Sequence, residues 1–196
     1  MKDDGLGTSF SHDLNSLGVH FSAAKALDGD PTGRCMIVVT PDGERTLNTY
    51  LGASATLCPE DLDLDLIRSG SITFLGGYLF DRPEAKEAFR LAADTAHAAG
   101  RKVALTLSDS FCVDRHRADF LDLVAGGVDI LFANEEEITK LYEVDTFDEG
   151  VALVRGHCEI AAVTKGKDGS VVVTTDDLVP VAAHPVPKLV DTTGAG

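Results

Sequence analysis

The stretch Val-Asp-Ile-Leu-Phe-Ala-Asn-Glu-Glu-Glu at residues 128–137 decides the fold of this chain. Its first six residues form an apolar run that predicts a buried strand, and a helix at 135–142 follows directly. The same alternation extends to both sides. Strands are predicted at 72–75, 103–107 and 159–164, helices at 83–99, 117–125 and 147–157, and a closing hairpin at 170–174 and 178–182. Repeated β-α-β units predict an α/β fold with a mostly parallel sheet and helices on both of its faces.

The N-terminal part of the chain has a different pattern. Residues 35–40 are an apolar β run, Pro-Asp-Gly-Glu at 41–44 supplies turn residues, and a second β run resumes at 45–50. Proline restricts φ and glycine accepts positive φ, so this order predicts a hairpin. A lone hairpin cannot bury both faces, and we expect it to pack on another sheet or to project as a flap.

Composition and charge exclude several classes of partner. With 17 basic and 32 acidic residues the formal net charge is −15, and such a surface repels nucleic acid and anionic membranes. No apolar run reaches the roughly 20 residues that span a bilayer, and the polar N-terminus lacks the apolar segment of a signal peptide. The four cysteines show no C-x-x-C spacing, which is typical of reduced thiols in a cytoplasmic protein.

Polar residues directly after the strand at 128–133 offer a first candidate site. Asn134 can cap the following helix with Glu137 three residues on, which is a capping-box pattern. The alternative interpretation is functional: an amide and a carboxylate at the carboxyl edge of a sheet can hold hydrated Mg²⁺ beside phosphates. The two residues by themselves leave both interpretations open.

Two further motifs follow strands. The sequence Thr-Lys-Gly-Lys-Asp-Gly at 164–169 has glycines that allow close backbone approach and a hydroxyl that can bond a phosphate, or it is a plain turn with lysines in solvent. The sequence Asp-Thr-Thr-Gly-Ala-Gly at 191–196 would direct successive N–H groups at an anion if a helix opened there. Its alternative is a flexible tail.

Taken in order, these motifs resemble the ribokinase/PfkB carbohydrate kinase family over the whole chain. Residues 191–196 match the family signature Asp-Thr-x-Gly-Ala-Gly-Asp except for its last aspartate, 134–137 match its Asn-x-x-Glu element, and 164–166 match its Thr-x-Gly. Residues 42–46 and 52–53 resemble its lid hairpin and the strand that returns to the core. Within the family, 107–111 and 128–137 are most similar to adenosine kinases.

The resemblance implies a ribokinase-like three-layer sandwich with a small β lid at 18–52. Residues 1–17 and 53–196 would form part of the α/β core, without the family's N-terminal strands and C-terminal helices. In several relatives two lids pair as a homodimer, whereas adenosine kinase-like members tend to be monomers, so the resemblance leaves both states open.

The implied activity is transfer of the γ-phosphoryl group of MgATP to a hydroxymethyl group of a nucleoside, adenosine first, with ribose- or fructose-type sugars as the alternative. The resemblance assigns Gly194, Ala195 and Gly196 to the anion hole, Asp191 to a monovalent cation such as K⁺, Asn134 and Glu137 to Mg²⁺ and its water, and Thr164 and Gly166 to ATP. Leu79 and Phe111 are candidates to sandwich a purine, with ordinary core packing as their alternative.

The chain also departs from the family pattern. The general base would be an aspartate directly after Gly196, and the segment that grips sugar hydroxyls would precede Lys2. We therefore expect residues 1–196 alone to lack useful kinase activity. The competing hypotheses are a non-catalytic nucleotide-binding or interaction module, and a dinucleotide-binding protein, which is poorly supported because no G-x-G-x-x-G string occurs.

Overall fold

The computed structural model of this protein describes residues 1–186. Its centre is a six-stranded sheet in which the strands follow each other in chain order, β3-β4-β5-β6-β7-β8. Strands β3 to β6 are parallel to one another, β7 pairs antiparallel with β6, and β8 pairs antiparallel with β7. The strands are β3 (Ile72–Gly76), β4 (Lys102–Thr106), β5 (Ile130–Asn134), β6 (Ile160–Thr164), β7 (Ser170–Val173) and β8 (Leu178–Val181). The predicted α/β fold with a mostly parallel sheet is confirmed.

Helices alternate with these strands, and several begin at side-chain caps. The helices are α1 (Gly5–Ser16), α2 (Leu64–Ser69), α3 (Pro83–Ala98), α4 (Ser110–Gly126), α5 (Glu135–Tyr142) and α6 (Phe147–Val154). Two of them, α1 and α2, were not predicted from the sequence. Helix α4 begins seven residues earlier than the predicted 117, because the Asp109 carboxylate accepts from the amides of Phe111 and Cys112 and starts the helix there.

All helices of the β-α-β units pack on one face of the sheet. Their buried side chains form one cluster with a row of strand residues that the register aligns across four strands, Leu75, Leu105, Leu131 and Ala161. Right-handed crossovers that always advance in the same direction leave every helix on the same side. On the opposite face Phe74 and Phe132 are exposed, so the second helical layer predicted from the sequence is not found within residues 1–186.

The predicted hairpin lies within the proposed lid region. Strand β1 (Arg34–Val39) pairs with β2 (Arg45–Tyr50) in antiparallel register, and Gly43 adopts φ 86° in the turn. All residues of both strands are exposed, so this lid projects from the body as a flap. The division into a lid at 18–52 and a core at 1–17 and 53–196 stays a prediction.

At the base of the lid its two legs, residues 31–33 and 50–52, contact each other at Gly33 and Gly52. A Cβ atom added at Gly33 would lie 2.5 Å from the Leu51 carbonyl oxygen, and one at Gly52, where φ is 54°, would lie 2.2 Å from the Pro31 carbonyl oxygen. Only glycine permits such backbone contact. Among the described residues, no helix is both long and apolar enough to cross a membrane.

A matched pair of phenylalanines in α4 tests this core. Phe120 is 0% exposed and stacks on Phe80 at 4.9 Å between ring centroids, whereas Phe111 is 68% exposed. We expect Phe120→Ala to lower the free energy of unfolding by about 3–5 kcal/mol through the cavity it leaves. Phe111→Ala should cost no more than about 1 kcal/mol. Urea denaturation followed by circular dichroism measures both, and equal losses would contradict the assignment of this core.

Candidate functional site

The carboxyl ends of the parallel strands meet at one edge of the sheet, and the register brings the predicted residues together there. Asn134, the last residue of β5, pairs directly with Thr164, the last residue of β6. In the other half of the parallel sheet, Gly76, the last residue of β3, pairs with Thr106, the last residue of β4. Ligands of open α/β sheets bind beyond these strand ends, so this edge is the candidate site.

A polar cleft opens beside Asn134 and Thr164. Its volume is about 420 Å³, and we call it the β5–β6 cleft. It is lined by Asn134, Glu135, Glu136, Thr139, Asp145, Phe147, Thr164, Lys165 and Gly166. Three of the four predicted cofactor-binding residues, Asn134, Thr164 and Gly166, therefore share one cleft. The fourth, Glu137, is not among its lining residues.

Glu137 instead completes a capping box with Asn134. The Asn134 side-chain oxygen accepts from the Glu137 amide at 2.8 Å, while the Glu137 carboxylate accepts from the Asn134 amide at 3.0 Å and from Asn134 Nδ2 at 2.9 Å. The capping interpretation is confirmed. Glu137 is only 5% exposed, and this burial raises the pKa of its carboxyl group. Asp109 and Glu136 raise it further, and the Asn134 amide opposes them.

The charged groups of the β5–β6 cleft are partly paired. Lys165 Nζ lies 3.8 Å from a Glu135 carboxylate oxygen and 4.7 Å from the centre of the Phe147 ring. Glu136 accepts a hydrogen bond from the Ser110 hydroxyl at 2.9 Å. The cleft thus combines an amide, three carboxylates and one ammonium group. Among residues 1–186 no three His, Cys, Asp or Glu side chains are grouped so that they could hold a metal ion directly. The oxygen atoms of the cleft therefore suit a cation that keeps its waters, and the ammonium group suits a phosphate.

A second cavity, of about 660 Å³, lies between the lid and the body. We call it the lid cavity. Its walls are Cys35, Leu47, Thr49 and Leu51 from the lid side, and Tyr78, Asp81, Asp109, Phe111, Cys112 and Arg115 from the body. Two exposed aromatic rings, Phe111 at 68% and Tyr78 at 52%, therefore line one cavity. Sequence reasoning missed Tyr78, although an aromatic residue directly after Gly76-Gly77 at a strand end was a usable signal.

Tyr78 reaches the lid cavity because the turn that precedes it packs closely on the backbone at the end of β4. A Cβ atom at Gly77 would lie 2.7 Å from the Leu107 carbonyl oxygen and 2.8 Å from that of Thr106, so only glycine allows the turn after β3 to contact the end of β4. Ser108 follows at φ 71°, an uncommon conformation for a residue other than glycine. Such backbone geometry persists where surrounding structure holds it and is frequent at functional sites.

The polar groups of the lid cavity are bound to protein partners. Asp81 Oδ1 lies 2.7 Å from His116 Nε2 and 3.1 Å from Arg115 Nη2. The hydrogen bond with His116 and the charge of Arg115 lower the pKa of the Asp81 carboxyl group. Asp109 Oδ1 accepts from the amides of Phe111 and Cys112 and so caps α4. Apolar and aromatic side chains make up the larger part of the cavity wall.

The structure does not bring Leu79 and Phe111 together. Leu79 is partly buried against the core and lines a different cavity, of about 530 Å³, together with Phe21 and Phe89. Tyr78, and not Leu79, lines the lid cavity together with Phe111. The predicted anion-hole residues Gly194, Ala195 and Gly196, and the cation ligand Asp191, lie outside the described residues.

Comparisons with known proteins agree with this architecture. Residues 3–196 match the family described as pfkB family carbohydrate kinase. A ribokinase from Arabidopsis thaliana is 26% identical over 192 residues, which is 93% of this chain and 48% of the relative. The chain therefore spans about half the length of that protein.

Solved structures of kinases share the fold of this chain. The adenosine kinase from Sinorhizobium meliloti is 49% identical with a TM-score of 0.94, and the match covers 100% of this chain and 60% of that chain. An adenosine kinase from Anopheles gambiae has the same fold at 24% identity, with a TM-score of 0.87 over 100% of this chain and 62% of that one. On its sequence match and its fold, this chain belongs to the pfkB family of carbohydrate kinases.

Proposed function

We propose that the protein is an ATP-dependent kinase that phosphorylates a hydroxymethyl group of a nucleoside, with adenosine as the leading substrate. The observation that carries the substrate class is the pair of exposed aromatic rings, Tyr78 and Phe111, in the lid cavity. The likeness to the Sinorhizobium meliloti adenosine kinase at 49% identity supports the same choice. Chemistry would occur between the lid cavity and the β5–β6 cleft.

The β5–β6 cleft fits the phosphates and the metal of MgATP. Asn134, Glu135, Glu136 and Asp145 offer the oxygen atoms that Mg²⁺ and its retained waters favour, while Thr164, Lys165 and the Gly166 backbone face the same space. Mg²⁺ would neutralise charge on the phosphates when bound. Glu137 holds Asn134 through the capping box and would reach the ion through water. Asp191 is the proposed ligand of K⁺.

Base stacking accounts for the aromatic walls of the lid cavity. A purine has two flat faces, and each base stacked on an aromatic side chain contributes about 1–3 kcal/mol. A bare sugar has no flat face of this kind, so the two aromatic rings of the cavity wall favour a nucleoside. Ribose- or fructose-type sugars are the alternative substrate class.

A module that holds nucleotide without turnover is the alternative from another class. It predicts tight MgATP binding by the natural full-length protein with no adenosine-dependent release of ADP. That residues 1–196 alone are inactive stays a prediction, as do the cytoplasmic location and the choice between a monomer and a lid-mediated homodimer. The exposed apolar side chains Met36 and Val38 on the lid are consistent with such a dimer.

Removing the aromatic walls should weaken nucleoside binding selectively. In the full-length protein we expect Tyr78→Ala and Phe111→Ala each to raise KM for adenosine by about 5- to 100-fold, from the lost stacking. KM for ATP should stay unchanged, and Phe10→Ala, an exposed ring of α1 that does not line the lid cavity, should change neither constant. Steady-state ADP release measures all three, and unchanged adenosine constants in both wall variants would rule out stacking on these rings.

Two nearby lysines form a matched test of the β5–β6 cleft. Lys165 lines the cleft, while Lys167 is exposed and does not. Lys165→Ala should weaken MgATP binding about tenfold, the scale of one charge-assisted hydrogen bond, and Lys167→Ala should leave it unchanged. Isothermal titration with MgATP gives both affinities. Equal affinities in the two variants would place the phosphates elsewhere.

Glutamine at position 137 separates the structural role from the metal role. Glutamine preserves a capping box, and burial raises the pKa of the Glu137 carboxyl group. A raised carboxyl pKa means that the folded state binds more protons than the unfolded state, so the stability that Glu137 contributes falls as pH rises above the ordinary glutamate range. Glu137→Gln should remove this fall and leave the protein at least as stable at pH 7.

Activity in the same variant tests the metal role. If Glu137 reaches Mg²⁺ through water, Glu137→Gln should raise the Mg²⁺ concentration needed for half-maximal activity although the fold is retained. Thermal unfolding and a Mg²⁺ titration of ADP release are the two measurements. An unchanged Mg²⁺ requirement would show that Glu137 serves only as a cap.

A further inference from the structure

Two of the four cysteines line the lid cavity from opposite sides. Cys35 lies on β1 in the lid, and Cys112 lies in the first turn of α4 in the body. The other two, Cys58 and Cys158, are not among the residues that line this cavity. All four are free thiols, so the lid cavity holds a pair of thiols on two elements separated by the ligand space.

We propose that Cys35 and Cys112 are an oxidation site, at which a hydroperoxide joins them in a disulfide that closes the lid over the cavity. This site goes beyond the proposed kinase activity, because the linkage forms in the protein itself and needs neither ATP nor an acceptor. Its consequence for activity rests on the proposed function, since a closed lid cavity excludes the nucleoside.

Cys35 is the thiol that an oxidant in solution reaches first. It is exposed, its Sγ lies 3.2 Å from Thr49 Oγ1, and the register pairs the two residues directly across the hairpin. Both line the lid cavity and also a neighbouring cavity of about 500 Å³ that includes Phe10 and Phe21, so Cys35 lies where the lid faces the body. Susceptibility to oxidation follows exposure and thiolate character, and every neighbouring residue of β1 is exposed as well.

Cys112 is the thiol that an oxidised Cys35 would meet on the body side of the lid cavity. It is buried, and burial raises the pKa of its thiol, while the neighbouring Arg115 guanidinium opposes this rise. Arg115 Nη2 donates to Cys112 Sγ at 3.4 Å. A buried thiol is shielded from oxidants in solution, and the adjacent guanidinium offsets part of the cost that burial adds to forming its thiolate.

The linkage requires the lid to move toward the body. A disulfide needs Cα atoms roughly 4.4–6.8 Å apart, so the lid must descend into the cavity of about 660 Å³ that separates it from α4. Its strands pair with each other, all of their residues are exposed, and the two legs cross at Gly33 and Gly52. Glycine tolerates the backbone changes of a hinge at that crossing.

The chemistry balances in two steps. The Cys35 thiolate attacks the peroxide, which breaks the O–O bond, oxidises the sulfur to sulfenic acid and releases the other oxygen as water or an alcohol. The Cys112 thiolate then attacks the Cys35 sulfur, the S–S bond forms, and hydroxide leaves and is protonated to water. Overall the two thiols lose two electrons and two protons, and the peroxide is reduced.

Peptide mapping without reductant tests the proposal. The protein is treated with stoichiometric hydrogen peroxide, alkylated, digested and analysed by mass spectrometry. We expect a linked peptide that contains Cys35 and Cys112 and disappears after reduction. Cys35→Ser, at an exposed position, should abolish this peptide with the fold retained by circular dichroism, and Cys58→Ser should leave its yield unchanged. An intermolecular Cys35 disulfide, a link to Cys58, or a sulfenic acid at Cys35 with Cys112 still free would overturn the proposal.

A binding measurement separates this proposal from the proposed function. Calorimetric titration with adenosine should show binding by the reduced full-length protein, loss of binding after oxidation and recovery with dithiothreitol. The Cys35→Ser variant should bind adenosine with the same affinity before and after peroxide treatment, whatever that affinity is relative to the unsubstituted protein. Absence of adenosine binding in the reduced protein would count against the nucleoside substrate alone, whereas undiminished binding by the linked protein would overturn closure of the lid cavity.

Discussion

The parallel hydrogen-bond register between β5 and β6 is the constraint on which the candidate site depends. It sets Asn134 directly beside Thr164, and because parallel strands point the same way, the loops that follow both strands open into one cleft. The same geometry repeats at β3 and β4, where Gly76 pairs with Thr106 and the following turn delivers Tyr78. A shift of the register by one residue would turn these side chains to the other face of the sheet.

Side chains that cap two helices also lie at or beside the candidate binding clefts. Asn134 and Glu137 satisfy amide groups at the start of α5, and Asp109 does so at the start of α4. Such side chains are expected at helix starts on physical grounds alone, and they also lie at or beside the clefts that would bind ligands. The buried carboxyl group of Glu137, with its raised pKa, therefore has a structural reason to be present whether or not it contacts a hydrated metal.

The lid and the sheet differ in how much of their apolar surface is buried. One face of the sheet is covered by helices, and Leu105, Leu131 and Val163 are fully buried there. The lid has two exposed faces that both carry apolar side chains, among them Ile37, Val38 and Leu47. A two-stranded ribbon without a packed face is marginal by itself, which is consistent with an element whose contacts are completed only when it closes on a ligand or on another surface.

Local sequence pattern was sufficient for the strands and for most helices, because apolar periodicity, proline and glycine act within a few residues. It also located Asn134, Thr164 and Gly166, since polar residues after buried strands lie at one sheet edge in any parallel fold. The cavity that a given side chain lines could not be predicted in this way. Tyr78 and Leu79 are adjacent in a short 3-10 turn, where three residues complete a turn and neighbours point about 120° apart. Tyr78 therefore lines the lid cavity, and Leu79 lines a separate cavity. Which residue lines which cavity depends on how the turn packs against β4 and on where the lid lies. Both are set by residues distant in sequence.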